Sequence, residues 1–367
     1  MNIASYSINL KKFDFMLFAP VLLLVIFGLS SIYSMTLNVE NPDLTLFNKQ
    51  IIFAIIGFVL LFFFSFFDYR FWKNYTVFLY LSANIFLAAV LFFGQTIRGT
   101  SGWFNFWGIS FQPVEFAKFS LVIALAHFYN LKYKKLGLTS LFFFSGLIAI
   151  LPIALTIFQP DFGSAFILII IWFGFFILFG IKKKQFLYFL ALIATVALIL
   201  WNFILFDYQQ NRILVFVDPG RDPLGSGYNV RQSIIAVGSG KFTGRGLGLG
   251  TQSQLRFLPE IATDFIYANI SESLGFCGAA MVVVFFTYFF AKLLLIIKKA
   301  KDDFGAYLVY GFLIIFFSQT VINIGMNIGL FPVAGLPLPL VSYGGSFLVV
   351  CLVGIGIVES VSISEKQ

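Results

Sequence analysis

The chain contains a succession of apolar runs, each close to the length that an α-helix needs to cross a lipid bilayer. Such a helix takes about 20 mostly apolar residues, because the hydrocarbon core is about 30 Å thick. Strands of a membrane barrel would instead alternate apolar and polar residues. The sequence therefore predicts an all-α integral membrane protein, a bundle of about ten transmembrane helices. The predicted spans are 15–35, 48–67, 75–95, 111–130, 138–158, 162–181, 185–206, 264–291, 304–328 and 343–360.

The composition excludes a surface that faces water. Hydrophobic residues make up 60% of the 367 residues and charged residues 11%, whereas soluble domains carry about 25% charged residues. The net charge of +8 is not typical of nucleic-acid binding here, because the basic residues fall in short clusters between the apolar runs. We therefore expect membrane lipids around the chain and no nucleic acid as a partner.

The distribution of Lys and Arg predicts the orientation in the membrane. Connections of one parity carry basic clusters, such as those at 132–135 and 182–184, whereas the short connections of the other parity carry Arg98 and Lys49. Cytoplasmic loops are the ones enriched in Lys and Arg. The sequence therefore predicts a multi-pass protein of the cytoplasmic (inner) membrane with both termini in the cytoplasm.

One connection, residues 207–263, is much longer than the others and by parity lies outside the cell. A long loop is usually functional or disordered, and the apolar stretches 213–217 and 230–237 argue against disorder. We expect a folded cap with short amphipathic helices at the interface. No internal repeat or soluble domain is apparent, so residues 1–367 are predicted to form a single transmembrane domain.

The fourth predicted span contains two charged residues, Glu115 and Lys118, which are expensive inside a membrane and usually functional. Their separation of three places them on one helix face, where they can pair. The pair is either a structural ion pair that sets helix packing or part of a polar cavity for a charged ligand. Asp161, at the junction of spans five and six, either caps a helix N-terminus or shares a cavity with Lys118.

Asp264 stands where the long loop ends and the eighth span begins. Thr263 is predicted to cap this helix, which places Asp264 in the first turn. Glu272 lies further along, roughly 80° around the helix from Asp264 at 3.6 residues per turn. From spacing alone, Asp264 either complements the helix dipole or acts as a catalytic carboxylate.

Nine motifs, in order along nearly the whole chain, make it similar to a known family. They are residues 98–103 (RGTSGW), 112–118 (QPVEFAK), 159–163 (QPDFG), 210–214 (QNRIL), 222–228 (DPLGSGY), 232–233 (QS), 250–253 (GTQS), 258–266 (LPEIATDFI) and 335–346 (GLPLPLVSYGGS). The chain resembles the SEDS proteins of bacteria, the group that contains RodA and FtsW. The motifs at 250–253 and 335–346 resemble RodA more than FtsW. Val114, Asn269 and the segment 271–273 depart from the family pattern.

The resemblance implies a peptidoglycan glycosyltransferase that polymerises lipid II on the outer leaflet for cell-wall elongation and cell shape, with a class B penicillin-binding protein as partner. Asp264 would then be the catalytic base. Glu115, Lys118 and Asp161 would shape the polar cavity. The bases Arg212, Arg245 and Arg256 of the long loop would face the substrate pyrophosphate. A divalent cation, Mg or Mn, could assist in offsetting the charge of the leaving group, although no motif specifies a metal site.

Three alternatives stay open at this point. A transporter that flips the lipid-linked precursor would use the buried charges equally well, although transporters commonly show inverted repeats. A non-catalytic scaffold for a partner transpeptidase is the second. The third is an FtsW-type polymerase of cell division instead of elongation.

Overall fold

A computed structural model describes residues 12–366 except 38–42, 98–99, 107–108, most of 179–206, 219, 223–224 and 256. Within these residues, eight helices are long and apolar enough to cross a membrane. They are α1 (Phe15–Ser34), α2 (Thr45–Ser65), α4 (Thr76–Phe93), α5 (Pro113–Lys132), α6 (Leu138–Phe158), α11 (Ile266–Lys299), α12 (Asp303–Asn327) and α13 (Gly345–Glu365). A short helix, α3, covers Arg70–Asn74, and a shorter apolar helix, α7, covers Phe162–Leu178.

The structure confirms the all-α membrane architecture. Nine of the predicted spans correspond to α1, α2, α4 to α7 and α11 to α13. Their ends are shifted by a few residues, most at α11, which ends at Lys299 instead of 291. The seventh predicted span, 185–206, lies mostly outside the described residues. Large apolar side chains such as Phe92 and Phe93 are exposed on the outside of the bundle, where a lipid environment favours them.

The centre of the bundle is formed by helices that touch through small residues. α13 packs against α2, and α5 packs against α4 and α12. An added Cβ at Gly356 of α13 would lie 2.6 Å from the Leu61 carbonyl oxygen of α2. Glycine therefore lets these two helices approach at the backbone, as membrane helices commonly do.

Three short antiparallel strands, which the sequence analysis did not predict, join α4 to α5. They are β1 (Gln95–Ile97), β2 (Thr100–Phe106) and β3 (Ile109–Phe111) in the order β1-β2-β3, with Phe104 opposite Phe111. Gln159, at the end of α6, donates from Nε2 to the Leu87 carbonyl oxygen of α4 at 2.9 Å. The α6–α7 junction is thereby joined to the helix that precedes the strands.

The long loop contains three helices, which confirms the expectation of a folded segment with short helices. They are α8 (Asp207–Val217), α9 (Ser226–Ser239) and α10 (Thr251–Gln254). A small apolar cluster around Ala236 and Leu258 joins this loop to the start of α11. The loop is therefore packed on the end of the bundle where α11 begins.

α11 is broken at Gly275, whose φ of 68° and ψ of −164° belong to a region that glycine alone adopts easily. The break leaves backbone groups without helical partners, and the long loop supplies partners for them. Four backbone hydrogen bonds join the two segments: Phe276 N to Lys241 O (2.8 Å), Cys277 N to Phe242 O (3.2 Å), Arg245 N to Glu272 O (3.0 Å) and Gly246 N to Ser273 O (3.0 Å).

Candidate functional site

Arg212 and Asp264, which the resemblance predicts as a substrate-binding and a catalytic residue, lie near the same point of the structure. An added Cβ at Gly335 would lie 3.9 Å from Arg212 Nη1 and 3.9 Å from Asp264 Oδ2. Gly335 has a φ of 66°, and because it has no side chain, its backbone lies close to both charged groups. Both charged side chains are half-buried. We call this place, formed by Gly335, Arg212 and Asp264, the Gly335 crevice.

The predicted cap of α11 is wrong. Thr263 Oγ1 donates to the Glu260 carbonyl oxygen at 3.2 Å. The N-cap residue is Phe265, which makes no side-chain capping bond. Asp264 therefore precedes the helix. Its backbone N–H donates to the Glu260 carbonyl oxygen at 3.0 Å, and its carboxylate lies at the Gly335 crevice.

Asp161 caps α7, and the start of this helix lies next to the segment that contains Gly335. Its Oδ1 accepts from the Ser164 backbone N–H at 3.0 Å, and its Oδ2 accepts from Gln112 Nε2 at 3.1 Å. An added Cβ at Gly163 would clash with the Ala334 carbonyl oxygen, so the start of α7 packs directly on the segment that contains Gly335. The capping interpretation is confirmed, and the capped carboxylate remains half-buried.

Glu115 and Lys118 form the ion pair that their spacing predicts. Lys118 Nζ lies 2.6 Å from Glu115 Oε1, and the two residues are 0% and 4% exposed. Lys118 Nζ also lies 6.0 Å from the ring centroid of Phe347 on α13, within the range of a cation–π contact. The pair is enclosed between α5 and α13, and its contact with substrate stays a prediction.

Arg245, another arginine predicted to bind substrate, is not among the groups at the Gly335 crevice. Arg245 is exposed, with its Nε donating to the Ser239 carbonyl oxygen at 3.3 Å and its Nη1 to Thr251 Oγ1 at 3.1 Å. Its backbone is bound to Glu272, about two turns along α11 from Asp264. Glu272 is buried and accepts from the Gln252 backbone N–H at 2.9 Å. Arg256 lies outside the described residues.

The sequence analysis missed two buried asparagines that hold the backbone of Asp264. Asn323 Nδ2 donates to the Asp264 carbonyl oxygen at 3.0 Å, and Asn327 Nδ2 donates to the same oxygen at 2.9 Å. Both residues are 0% exposed. Their signal was available, because two amides four residues apart share one face of an apolar helix. The predicted site residues within the spans were all charged, and these two residues are not.

The segment that follows Gly335 is hydrogen-bonded to the backbone directly before Asp264. Ser342 Oγ donates to the Thr263 carbonyl oxygen at 2.5 Å and accepts from the Leu338 N–H at 2.8 Å. The Tyr343 N–H donates to the Ala262 carbonyl oxygen at 2.8 Å. Burial raises the pKa of the Tyr343 phenol above its ordinary value, so this side chain stays neutral. These bonds fix the two walls of the crevice relative to each other.

The described residues do not form a resident metal site. No three His, Cys, Asp or Glu side chains in the part of the chain that the structure describes are grouped to hold an ion. The crevice offers one carboxylate beside a guanidinium, a poor donor set for a divalent cation. The prediction of a Mg or Mn ion stays untested.

Comparison with known proteins identifies the family. The family model of FtsW, RodA and SpoVE, described as "Cell cycle protein", matches residues 12–367. Peptidoglycan glycosyltransferase MrdB of Escherichia coli K12 is 34% identical, over 95% of this chain and 94% of its own. A probable peptidoglycan glycosyltransferase FtsW of Trichlorobacter lovleyi is 31% identical, over 100% and 97%. Peptidoglycan glycosyltransferase RodA of Treponema pallidum is 29% identical, over 96% and 98%.

Solved structures have the same fold. One chain, from a structure described as the coordination of polymerization and crosslinking by a peptidoglycan synthase complex, matches with a TM-score of 0.82 and 28% identity over 97% of this chain and 99% of that chain. A variant of the rod shape determining protein RodA from Thermus thermophilus matches with a TM-score of 0.72 and 25% identity over 97% and 99%. The membrane-spanning helices and the named relatives thus identify a multi-pass membrane glycosyltransferase. The chain belongs to the FtsW, RodA and SpoVE family.

Proposed function

We propose that this protein polymerises lipid II into peptidoglycan glycan strands on the outer face of the cytoplasmic membrane, for cell-wall elongation and cell shape. The observation that carries the proposal is the Gly335 crevice, where a carboxylate and a guanidinium both lie 3.9 Å from the Cβ position of Gly335. The full-length relatives named peptidoglycan glycosyltransferases support the substrate class. The side-chain chemistry supports the reaction.

The reaction is a single displacement at the anomeric carbon of the donor sugar. An acceptor hydroxyl oxygen attacks this carbon while the Asp264 carboxylate takes the hydroxyl proton. The bond from the anomeric carbon to the pyrophosphate oxygen breaks, and the lipid pyrophosphate leaves with the electron pair. Arg212 offsets the growing negative charge. One base suffices because pyrophosphate leaves without protonation, unlike the leaving groups of glycosidases, which use paired carboxyls.

The orientation follows from the Lys and Arg clusters. With both termini in the cytoplasm, the loop 207–263 and Asp264 face the outside, where lipid II presents its sugars. A cysteine introduced into this loop is expected to react with an impermeant reagent added outside, and one introduced at 132–135 is expected not to react. The reverse pattern contradicts the orientation and the proposed function.

We assign a class B penicillin-binding protein as the partner, since the structural relative with a TM-score of 0.82 comes from a complex that couples polymerization to crosslinking. We prefer elongation to division because the motifs 250–253 and 335–346 resemble RodA more than FtsW. Depletion of the protein in cells is expected to give rounded cells. Filaments with blocked division would instead support the FtsW-type alternative.

The decisive test is glycan chain formation from lipid II by purified protein, with and without the partner. Asp264→Asn keeps the shape of the side chain but removes its ability to accept a proton. Removal of a positioned base is expected to lower the rate about 10²- to 10⁴-fold. Thermal stability is measured on the same sample, so that loss of folding is recognised.

Glu260→Gln is the matched control, because Glu260 lies on the same segment with an exposed side chain. Chain formation near the wild-type rate by Asp264→Asn contradicts the assignment. An inactive Glu260→Gln beside an active Asp264→Asn would show that the other carboxylate is the base. A wild-type protein that translocates lipid II but forms no chains would favour the flippase.

A further inference from the structure

The side-chain amide of Asn327 is inserted into the first turn of α11. Its Oδ1 accepts from the Ala268 backbone N–H at 3.1 Å, and its Nδ2 donates to the Asp264 carbonyl oxygen at 2.9 Å. Ala268 and Asp264 are four residues apart, the separation at which an N–H and a carbonyl oxygen bond each other in a continuous helix. The amide therefore bridges the donor and the acceptor that would otherwise close this turn.

Asn323 adds a second connection. Its Nδ2 donates to the Asp264 carbonyl oxygen and also, at 2.7 Å, to the carbonyl oxygen of Leu336. Leu336 is adjacent to Gly335, so this amide ties the two walls of the crevice together. Asn327 Nδ2 also donates to the Asn323 carbonyl oxygen at 2.8 Å. The two buried amides thus form one unit on α12.

The bridge determines which group accepts the hydrogen bond of the Ala268 N–H at the start of α11. Ala268 is the third residue of the helix, and its N–H is a donor that an N-cap side chain ordinarily accepts. Asn327 accepts it from another helix. If the bridge were removed, the Ala268 N–H could close onto the Asp264 carbonyl oxygen and extend the helix by one residue. Asp264 would then occupy the N-cap position, where aspartate carboxylates turn onto first-turn N–H groups.

We infer that Asn327 and Asn323 are positioning residues that keep the Asp264 carboxylate directed at the Gly335 crevice. This inference rests on the proposed function. A carboxylate that accepts backbone N–H bonds at a helix N-terminus binds its proton less tightly and is a weaker base. Asn327 therefore preserves both the direction and the basicity of the proposed base.

The test is a kinetic comparison of full-length variants in the lipid II polymerisation assay, with kcat, KM and a pH–rate profile for each. Asn327→Ala is expected to lower kcat about tenfold or more with little change in KM, since a base is displaced and no substrate contact is lost. The acidic limb of its profile is expected to move to lower pH. Asn323→Ala keeps the Ala268 bond, so it should lower kcat without moving that limb.

Other charged groups around the crevice are common to all variants. Arg212 Nη1, from α8, lies 3.9 Å from the same Gly335 Cβ position as the carboxylate. Asp161 lies at the start of α7, and Glu260 lies in the preceding turn. Ser318→Ala is the control, because Ser318 is a buried polar residue of α12 whose hydroxyl donates to carbonyl oxygens of its own helix. It is expected to keep the wild-type kcat and profile.

A folded Asn327→Ala with wild-type kcat and profile overturns the inference, as does an equal change in Ser318→Ala. If Asn327→Ala does not fold, Asn323→Ala decides, and a wild-type kcat in that variant overturns the inference. Failure of the proposed function has a different signature. There, the wild type forms no chains or Asp264→Asn stays active, whatever the asparagine variants do.

Discussion

Two aspartates stand at opposite ends of the α11–α12 helix pair, each just before a membrane-spanning helix, and they are used in opposite ways. The Asp302 carboxylate accepts from the Gly305 N–H at 2.8 Å, from the Tyr69 hydroxyl at 2.6 Å and from Arg70 Nε at 3.2 Å. At Asp264 it is the backbone carbonyl that accepts two buried amides. The carboxylate lies instead at the Gly335 crevice.

The difference shows two arrangements at a helix start: at Asp302 the carboxylate itself accepts a first-turn N–H, whereas after Asp264 a side chain of another helix accepts one. Burial alone would raise the pKa of Asp302, but the bonds from Tyr69, the Gly305 N–H and Arg70 outweigh burial and lower it. Burial, together with the bond to Asp302, raises the pKa of Tyr69 to about 12. Asp302 is therefore held as an anion by donors within the protein. At the helix after Asp264, the Asn327 side chain accepts the first-turn N–H of Ala268.

The strongest test of this contrast is to make the same substitution at each of the two aspartates. Asp264→Asn is expected to lower chain formation about 10²- to 10⁴-fold. Asp302→Asn is expected to leave turnover per folded molecule near the wild-type value and to lower the melting temperature. Equal losses of turnover in the two variants would remove the distinction.

The buried pair on α5 is expected to give the largest effect on stability. Lys118→Met leaves the Glu115 charge unpaired inside the bundle, which costs about 3–5 kcal/mol. The double substitution Glu115→Leu with Lys118→Met should cost less, because no charge stays unpaired. Thermal unfolding in detergent and the polymerisation assay are measured together. A folded, inactive double variant assigns the pair to the reaction, and a fully active one assigns it to packing.

The geometry of the crevice is tested at Gly335. Gly335→Ala places a methyl group 3.9 Å from both Arg212 Nη1 and Asp264 Oδ2. It also forces alanine into a positive φ, at a cost of about 1–2 kcal/mol. We expect a modest loss of stability. We also expect kcat to fall by more than the loss of folded protein explains. Gly137→Ala is the control, because nothing lies within 4 Å of its added Cβ; equal kinetic losses in both variants would contradict the crevice.

The smallest expected effect is the acid sensitivity of Asp302. Its pKa is lowered in the folded protein, so the stability that its charge contributes is complete above the unfolded pKa of about 3.9. This contribution is lost as the pH falls through the folded pKa. The difference in melting temperature between wild type and Asp302→Asn should therefore shrink below about pH 4. A constant difference would contradict the assigned role.

Local patterns determined most of the architecture. Nine spans followed from the length and hydropathy of single segments, and the Glu115–Lys118 pair followed from helical spacing within one segment. These features depend on residues close together in the chain, so their physics is contained in the sequence window. The strands β1 to β3 were not predicted, because each is short and no alternation of apolar and polar residues distinguishes them.

Only the tertiary structure decided where the Asp264 carboxylate lies. The sequence supplied a Thr-Asp pair before an apolar run, a pattern that favours a cap, and the same class of pattern is a true cap at Asp302. The outcome at Asp264 depends on Asn323 and Asn327, which lie about 60 residues away along the chain, and on Gly335, which leaves space for the carboxylate and for Arg212. A local sequence pattern reveals only the hydrogen-bond donors that are close to a carboxylate along the chain. The donors that another helix brings to the same backbone are set by packing alone.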